Sequence, residues 1–127
     1  MIPTQQTITE KGKGNCFCAC IASILEVPIE TVPDFGQNPN WREETNKWLA
    51  QHNMFYIDVM LPGDMRDELV DFWGYHVIAG KGPRGMQHAV VGYKGEMVFD
   101  PHPSGDGLLP DQELEYGLFV NKLEGSK

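Results

Sequence analysis

Three cysteines, Cys16, Cys18 and Cys20, stand on alternate positions in the run Gly14-Asn-Cys-Phe-Cys-Ala-Cys20, and four histidines follow at positions 52, 76, 88 and 102. A cysteine thiol can ligate a metal, close a disulfide or attack a carbonyl, and spacing separates these uses. Zinc and iron–sulfur sites favour Cys-x2-Cys pairs completed by a second pair or by histidines. From Cys16 to about Glu26 the period is helical, with Phe17, Ile21, Ile24 and Leu25 on one apolar face. At ~100° per residue Cys18 points almost opposite to Cys16 and Cys20 lies one turn below it, so the three cannot converge on one ion. Three is also an odd number for a disulfide framework.

Cys16 differs by position. Asn15 is a good N-cap immediately before it and Gly14 allows a tight entry. The first helical turn offers free backbone N–H groups and the positive end of the helix dipole, a setting expected to lower a thiol pKa. Cys18 and Cys20 read as packing. A nucleophilic cysteine needs a base and a group to orient that base. His52 falls at a helix end and His76 at a strand start, where both read as structural. His88 and Asp100 flank a hairpin, Gln87–Tyr93 and Glu96–Asp100. A three-residue loop, Tyr93-Lys94-Gly95, sets His88 opposite Asp100 on one face, whereas a two-residue loop would put them on opposite faces. Alone, such a pair reads as structural; with Cys16 upstream it reads as catalytic. A metal hydrolase using His88, Asp100 and His102, with Cys16, is the alternative chemistry, although His102 between Pro101 and Pro103 sits in an expected turn.

These groups need elements to position them. The 127 residues suit one domain with a real core. Residues 1–15 are polar and glycine-rich and read as an extended arm and loop, and residues 124–127 as a frayed tail. Helices are expected over 16–26 and 40–52, a short turn over 28–33, and a third helix over 66–73. Strands are expected over 75–79, 87–93 and 96–100, with a last edge strand at 118–120. Helices first and an antiparallel sheet second give the α+β class. Trp41, Trp48 and Trp73 serve as core or as interface anchors.

The formal net charge of −8 repels phosphate backbones and anionic lipid, so neither nucleic acid nor membrane is an expected partner. The N-terminal stretch lacks a signal-peptide core and no apolar run approaches ~20 residues. The expected setting is a reducing cytoplasm, where thiols stay free.

The order of a helix-start cysteine, a strand histidine and an acid on the next strand resembles the papain-like cysteine hydrolase superfamily. More narrowly, the stretches Gly14–Leu25, Val32-Pro-Asp-Phe35, Gly82-Pro-Arg-Gly85, His88-Ala-Val-Val91 and Asp100-Pro-His-Pro-Ser-Gly105 resemble small proteins of phages and bacteria. The resemblance spans roughly residues 5 to 109. It implies a nucleophile-bearing helix packed on a small antiparallel sheet, with Cys16 as nucleophile, His88 as base and then acid, and Asp100 as orienting acid. It also implies an oxyanion-binding glutamine before the cysteine, for which Gln6 is the match and Gln5 the alternate. The gap of ten residues to Cys16 is long for that family, so Lys11–Gly14 must loop out. The implied reaction is cleavage of a peptide, isopeptide or other amide bond through a thioester, with no cofactor and with a protein or peptide as substrate. On the same triad the acyl group could pass to an amine, and a non-catalytic relative could bind a host protein. The loops at 83–85 and 104–107 are expected to border the cleft.

Overall fold

The computed structural model describes residues 1–10, 13–60 and 74–122. The expected helix over 66–73 and the tail at 124–127 lie outside the described residues. Among the described residues the fold is α+β: helices α1 (Cys16–Leu25) and α2 (Trp41–Leu49) and an antiparallel sheet of β1 (Met54–Met60), β2 (Tyr75–Lys81), β3 (Gln87–Tyr93), β4 (Glu96–Phe99) and β5 (Glu115–Asn121). The strand order is β1-β5-β2-β3-β4. No helix among the described residues is long and apolar enough to cross a membrane.

Both helices cover one face of the sheet. Cys20 of α1 and Leu49 of α2, each fully buried, meet Tyr56, Val77, Ala89 and Val91 there. The opposite face carries Ile78, Val90 and Tyr116, with Leu108 and Leu114 from the segment between β4 and β5 packed on them. Helix α1 ends where the sequence stops it. Glu26 takes the left-handed conformation at φ 59°, its N–H closes on Ala22 O, and Pro28 follows. Phe17 and Trp41 pack edge-to-face against each other and against Tyr56, which ties the start of each helix to β1. Trp48 stacks on Phe35 and His52. Both tryptophans thus make aromatic contacts within the fold, and Trp48 carries the exposed His52 ring with it.

Three elements differ from expectation. Asn15 occupies the cap position but makes no side-chain cap. Its Oδ1 accepts from the Thr7 and Ile8 N–H groups, and its Nδ2 donates to Thr7 Oγ1. The side chain thus staples the N-terminal arm to the helix and does not cap the first-turn N–H groups. The segment at 118–120 belongs to a seven-residue strand that is internal, between β1 and β2, rather than at an edge. β1 was not among the expected strands, although the expected helix did end at residue 52. A left-handed Asn53, φ 62°, makes that corner.

The hairpin is the third. Tyr93 pairs with Glu96, so the loop is the two residues Lys94 and Gly95, with φ 55° and 80°. Two positive φ values give a type I′ turn, whose twist suits a hairpin. Such a loop alone would separate His88 from Asp100. However, Gly92 pairs with Met97 while Val91 pairs with Phe99, so Val98 is skipped as a bulge. One extra residue reverses the parity and returns Asp100 to the face of His88.

Candidate active site

A cavity of about 600 Å³ opens between the start of α1, the α2 side of the sheet and the loops at 82–86 and 100–104. Cys16, His88 and Gln6 all line it, as do Tyr56, Arg84 and His102. Asp100 stands behind the imidazole, 7% exposed against 5% for His88.

The imidazole and the carboxylate meet directly, with His88 Nε2 2.7 Å from Asp100 Oδ1. Burial acts to raise the Asp100 carboxyl, but bonds from His88 and from the His102 and Gly107 N–H groups outweigh it and hold the group below the ordinary carboxylate range. Those backbone contacts are 2.9 Å to Oδ1 and 2.8 Å to Oδ2. An ionised carboxylate only accepts, so Nε2 must carry the proton of the neutral ring. The lone pair is then on Nδ1, which has no protein partner among the described residues. Burial also depresses the His88 pKa, with Asp100 opposing, and Arg84 and His102 adding to the depression. The resting imidazole is neutral and its open nitrogen is a base.

Cys16 has an environment of two parts. Burial raises its thiol pKa, while the backbone N–H groups of Ala89, Phe17 and Cys16 itself draw the other way. The net direction is upward, contrary to the lowering expected from the helix start alone, because a partly enclosed sulfur loses more water than the helix end returns. Cys16 and His88 border one cavity without a thiol–imidazole hydrogen bond between them. The resting pair is therefore neutral thiol and neutral imidazole. Ala89, next to His88 on β3, faces α1, and its N–H is among the groups that reach the sulfur.

The other two thiols are set apart from this cavity. Cys18 sits 2.9 Å from Pro33 O among Ile21, Val32 and Phe35, and burial pushes its pKa up to about 12. Cys20 is fully buried, and burial drives its thiol far above the ordinary value. All three are free thiols.

Gln6 is buried where Gln5 is exposed. Its backbone N–H donates to Pro101 O, next to the acid, and its Nε2 donates to Ile8 O at 2.8 Å. Gly14 lets the glutamine in: a Cβ there would lie 3.2 Å from Nε2. The long gap is closed at its base by Asn15 N–H donating to Ile8 O. Gln6 thus reaches the cavity, but one amide hydrogen is already engaged, and its Oε1 has no partner among the described residues. His102 turns its Nδ1 to Ser104, at 3.0 Å from the Ser104 N–H. Among the described residues no three His, Cys, Asp or Glu side chains are grouped as metal ligands. Of the loops expected at the cleft, Arg84 lines the cavity and Ser104 holds its guanidinium at 3.1 Å.

The buried histidines make a prediction about acid. Burial lowers the pKa of His76, with the Gly74 carbonyl opposing, as it lowers that of His88. In the unfolded chain both titrate near pH ~6.5. Below that pH the unfolded state binds protons that the folded state refuses, so stability is lost as pH falls through the ordinary histidine range. Asp100, with its lowered pKa, adds a further loss at lower pH. The urea midpoint is expected to be lower at pH 5 than at pH 7.5. An equal or higher midpoint at pH 5 would contradict the burial of neutral histidines.

The residues that sequence reading missed are Tyr56, Arg42 and Glu115, all lining the cavity. Tyr56 and Glu115 come together because β5 inserts between β1 and β2, an order with no local signal, and Arg42 of α2 joins them through its pair with Asp58 of β1. No family model matches the chain, and neither a curated protein nor a solved structure matches it at a significant level.

Proposed function

We propose that the protein is a papain-like cysteine hydrolase that cleaves an amide bond of a protein or peptide, acting in a cytoplasm. The observation that carries the reading is the His88–Asp100 pair, which leaves Nδ1 open in the same cavity as a cysteine at an uncapped helix start.

The chemistry follows from the neutral resting pair. As Cys16 Sγ bonds to the substrate carbonyl carbon, its proton passes to His88 Nδ1, and the C=O pair moves onto oxygen. The Cys16 N–H and the Gln6 amide are the donors for that oxyanion. Asp100 stabilises the imidazolium that forms. Nδ1–H then protonates the leaving amine as the C–N bond breaks, giving a thioester and a free amine. Water, losing a proton to Nδ1, attacks the thioester. The thiolate departs and recovers that proton, and the acid product leaves. An amine in place of water would give acyl transfer on the same groups.

The test is to trap the thioester. Native protein mixed with an activated acyl ester and quenched in acid is expected to gain one acyl group, located on Cys16 by fragmentation mass spectrometry. The adduct should decay at neutral pH, and Cys16→Ala should form none. Acylation of Cys18 or Cys20, or of no cysteine, would defeat the reading and leave a binding module as its replacement.

A further inference from the structure

One row of side chains crosses the helix-facing side of the sheet. Ala89 on β3 pairs with Ala79 on β2, and Ala79 pairs with Glu115 on β5. All three line the cavity that holds Cys16. The row begins at the thiol, since the Ala89 N–H is among the groups that reach the sulfur. It ends at a carboxylate two strand spacings away, roughly 10 Å. Methyl side chains at 79 and 89 keep the floor low and apolar, and Trp41 and Tyr56 wall the arm.

The charges at the far end decide what the arm accepts. Arg42 lines it too, but its guanidinium is committed. It makes a bidentate pair with Asp58 at 2.6–3.0 Å and lies 4.5 Å from the centre of the Trp41 ring. That pair is close to neutral as a unit. Among the described residues Glu115 makes no ion pair, although it lies near enough to Arg42 to act on its charge, and two carboxylates, Asp58 and Glu115, face that single guanidinium. The end of the arm is therefore net negative, within a chain of net charge −8 that draws cations towards it.

Resting on the hydrolase reading for the location of the scissile carbonyl, we propose that the arm from Ala89 to Glu115 is a subsite for a basic substrate side chain, lysine or arginine. The alkyl stem lies over Ala79 between the aromatic walls, and the cationic head reaches the Glu115 carboxylate. Such a side chain supplies both the apolar length and the charge that the arm lacks.

The test uses equilibrium binding, so it does not need turnover. Short N-acetylated peptide amides differing in one residue, lysine, norleucine or glutamate, are titrated into Cys16→Ala protein by calorimetry. A charge-assisted hydrogen bond in a partly enclosed site is expected to make the lysine peptide bind about tenfold tighter than its norleucine isostere, with glutamate weakest. In the same background Glu115→Gln is expected to bring lysine and norleucine level, and high salt to narrow their gap. Equal binding of lysine and norleucine, tighter binding of glutamate, or a lysine preference that survives Glu115→Gln would overturn the subsite. A lysine preference in a protein whose Cys16 accepts no acyl group would remove the hydrolase and keep the subsite. A thioester at Cys16 without the preference would do the reverse.

Discussion

Asp100→Ala is expected to cut turnover on the order of 10³-fold or more while leaving the thiol and the cavity in place. The loss has two parts. Nε2 of His88 loses its acceptor Asp100 Oδ1, so the ring is free to protonate Nδ1 instead, which removes the base of the proposed reaction. In the proposed reaction the imidazolium formed during attack would also lose the negative charge beside it. Asp100→Asn should fall between the alanine variant and the native protein, and the reason lies in the acceptor map. Oδ1 takes both His88 Nε2 and the His102 N–H, whereas Oδ2 takes only the Gly107 N–H. An asparagine satisfies more donors with its oxygen at the Oδ1 position, which preserves the tautomer but sets its NH₂ against the Gly107 N–H and gives up the charge. The order native, Asn, Ala in single-turnover acylation rate checks this. Equal rates for all three would mean that His88 needs no partner. Because Asp100 also holds two backbone N–H groups, folded protein in both variants must be verified by circular dichroism.

The second large effect concerns the packing behind Tyr56, which lines the cavity. Gly117→Ala is expected to destabilise the protein by about 3 kcal/mol or more. A Cβ at 117 would land on the Tyr56 hydroxyl and the adjoining ring carbons. The ring cannot step aside. It is 8% exposed and packed edge-to-face with Phe17, Trp41 and Phe119, and a well-packed cluster of that kind transmits an insertion as strain. Gly117 also pairs with both Asp58 and Val77, so the backbone is held from two sides. Urea denaturation measures the cost. In combination with Tyr56→Phe, which removes the nearest atom, the penalty of Gly117→Ala should shrink, a non-additivity expected of residues in contact. A fully additive double variant would show that the clash is relieved elsewhere.

Local chemistry in the sequence was sufficient for the elements that begin the site. Apolar spacing and Pro28 delimit α1, and alternation with a Lys-Gly turn delimits the hairpin. The separation of Cys16 from Cys18 and Cys20 also follows from helical geometry, and the three sulfurs do occupy three environments. Pairwise and long-range features were less legible. The His88–Asp100 contact was expected from a three-residue loop, but it arises from a two-residue loop and a bulge at Val98 whose parity effects cancel. The bulge is not visible from residue type, because Val98 looks like any strand residue. Asn15 has the composition of a cap and the role of a staple, since the arm offers its side chain three partners that the helix does not. The thiol pKa direction depends on how much water the fold excludes from Cys16, a property of packing. The order β1-β5-β2 brings Glu115 and Tyr56 to the cavity, and strand order is set by burial over the whole sheet rather than by any window of residues.

In the proposed mechanism one thiol of three is activated by one histidine. The most direct measurement is the rate at which iodoacetamide modifies each cysteine of the native protein, read by fragmentation mass spectrometry across pH, with His88→Ala alongside. Cys16 is expected to be modified first and alone, at a rate that falls in His88→Ala, while Cys18 and Cys20 react only after unfolding. Modification of Cys18 or Cys20 as fast as Cys16, or a Cys16 rate unchanged by the loss of His88, would contradict it.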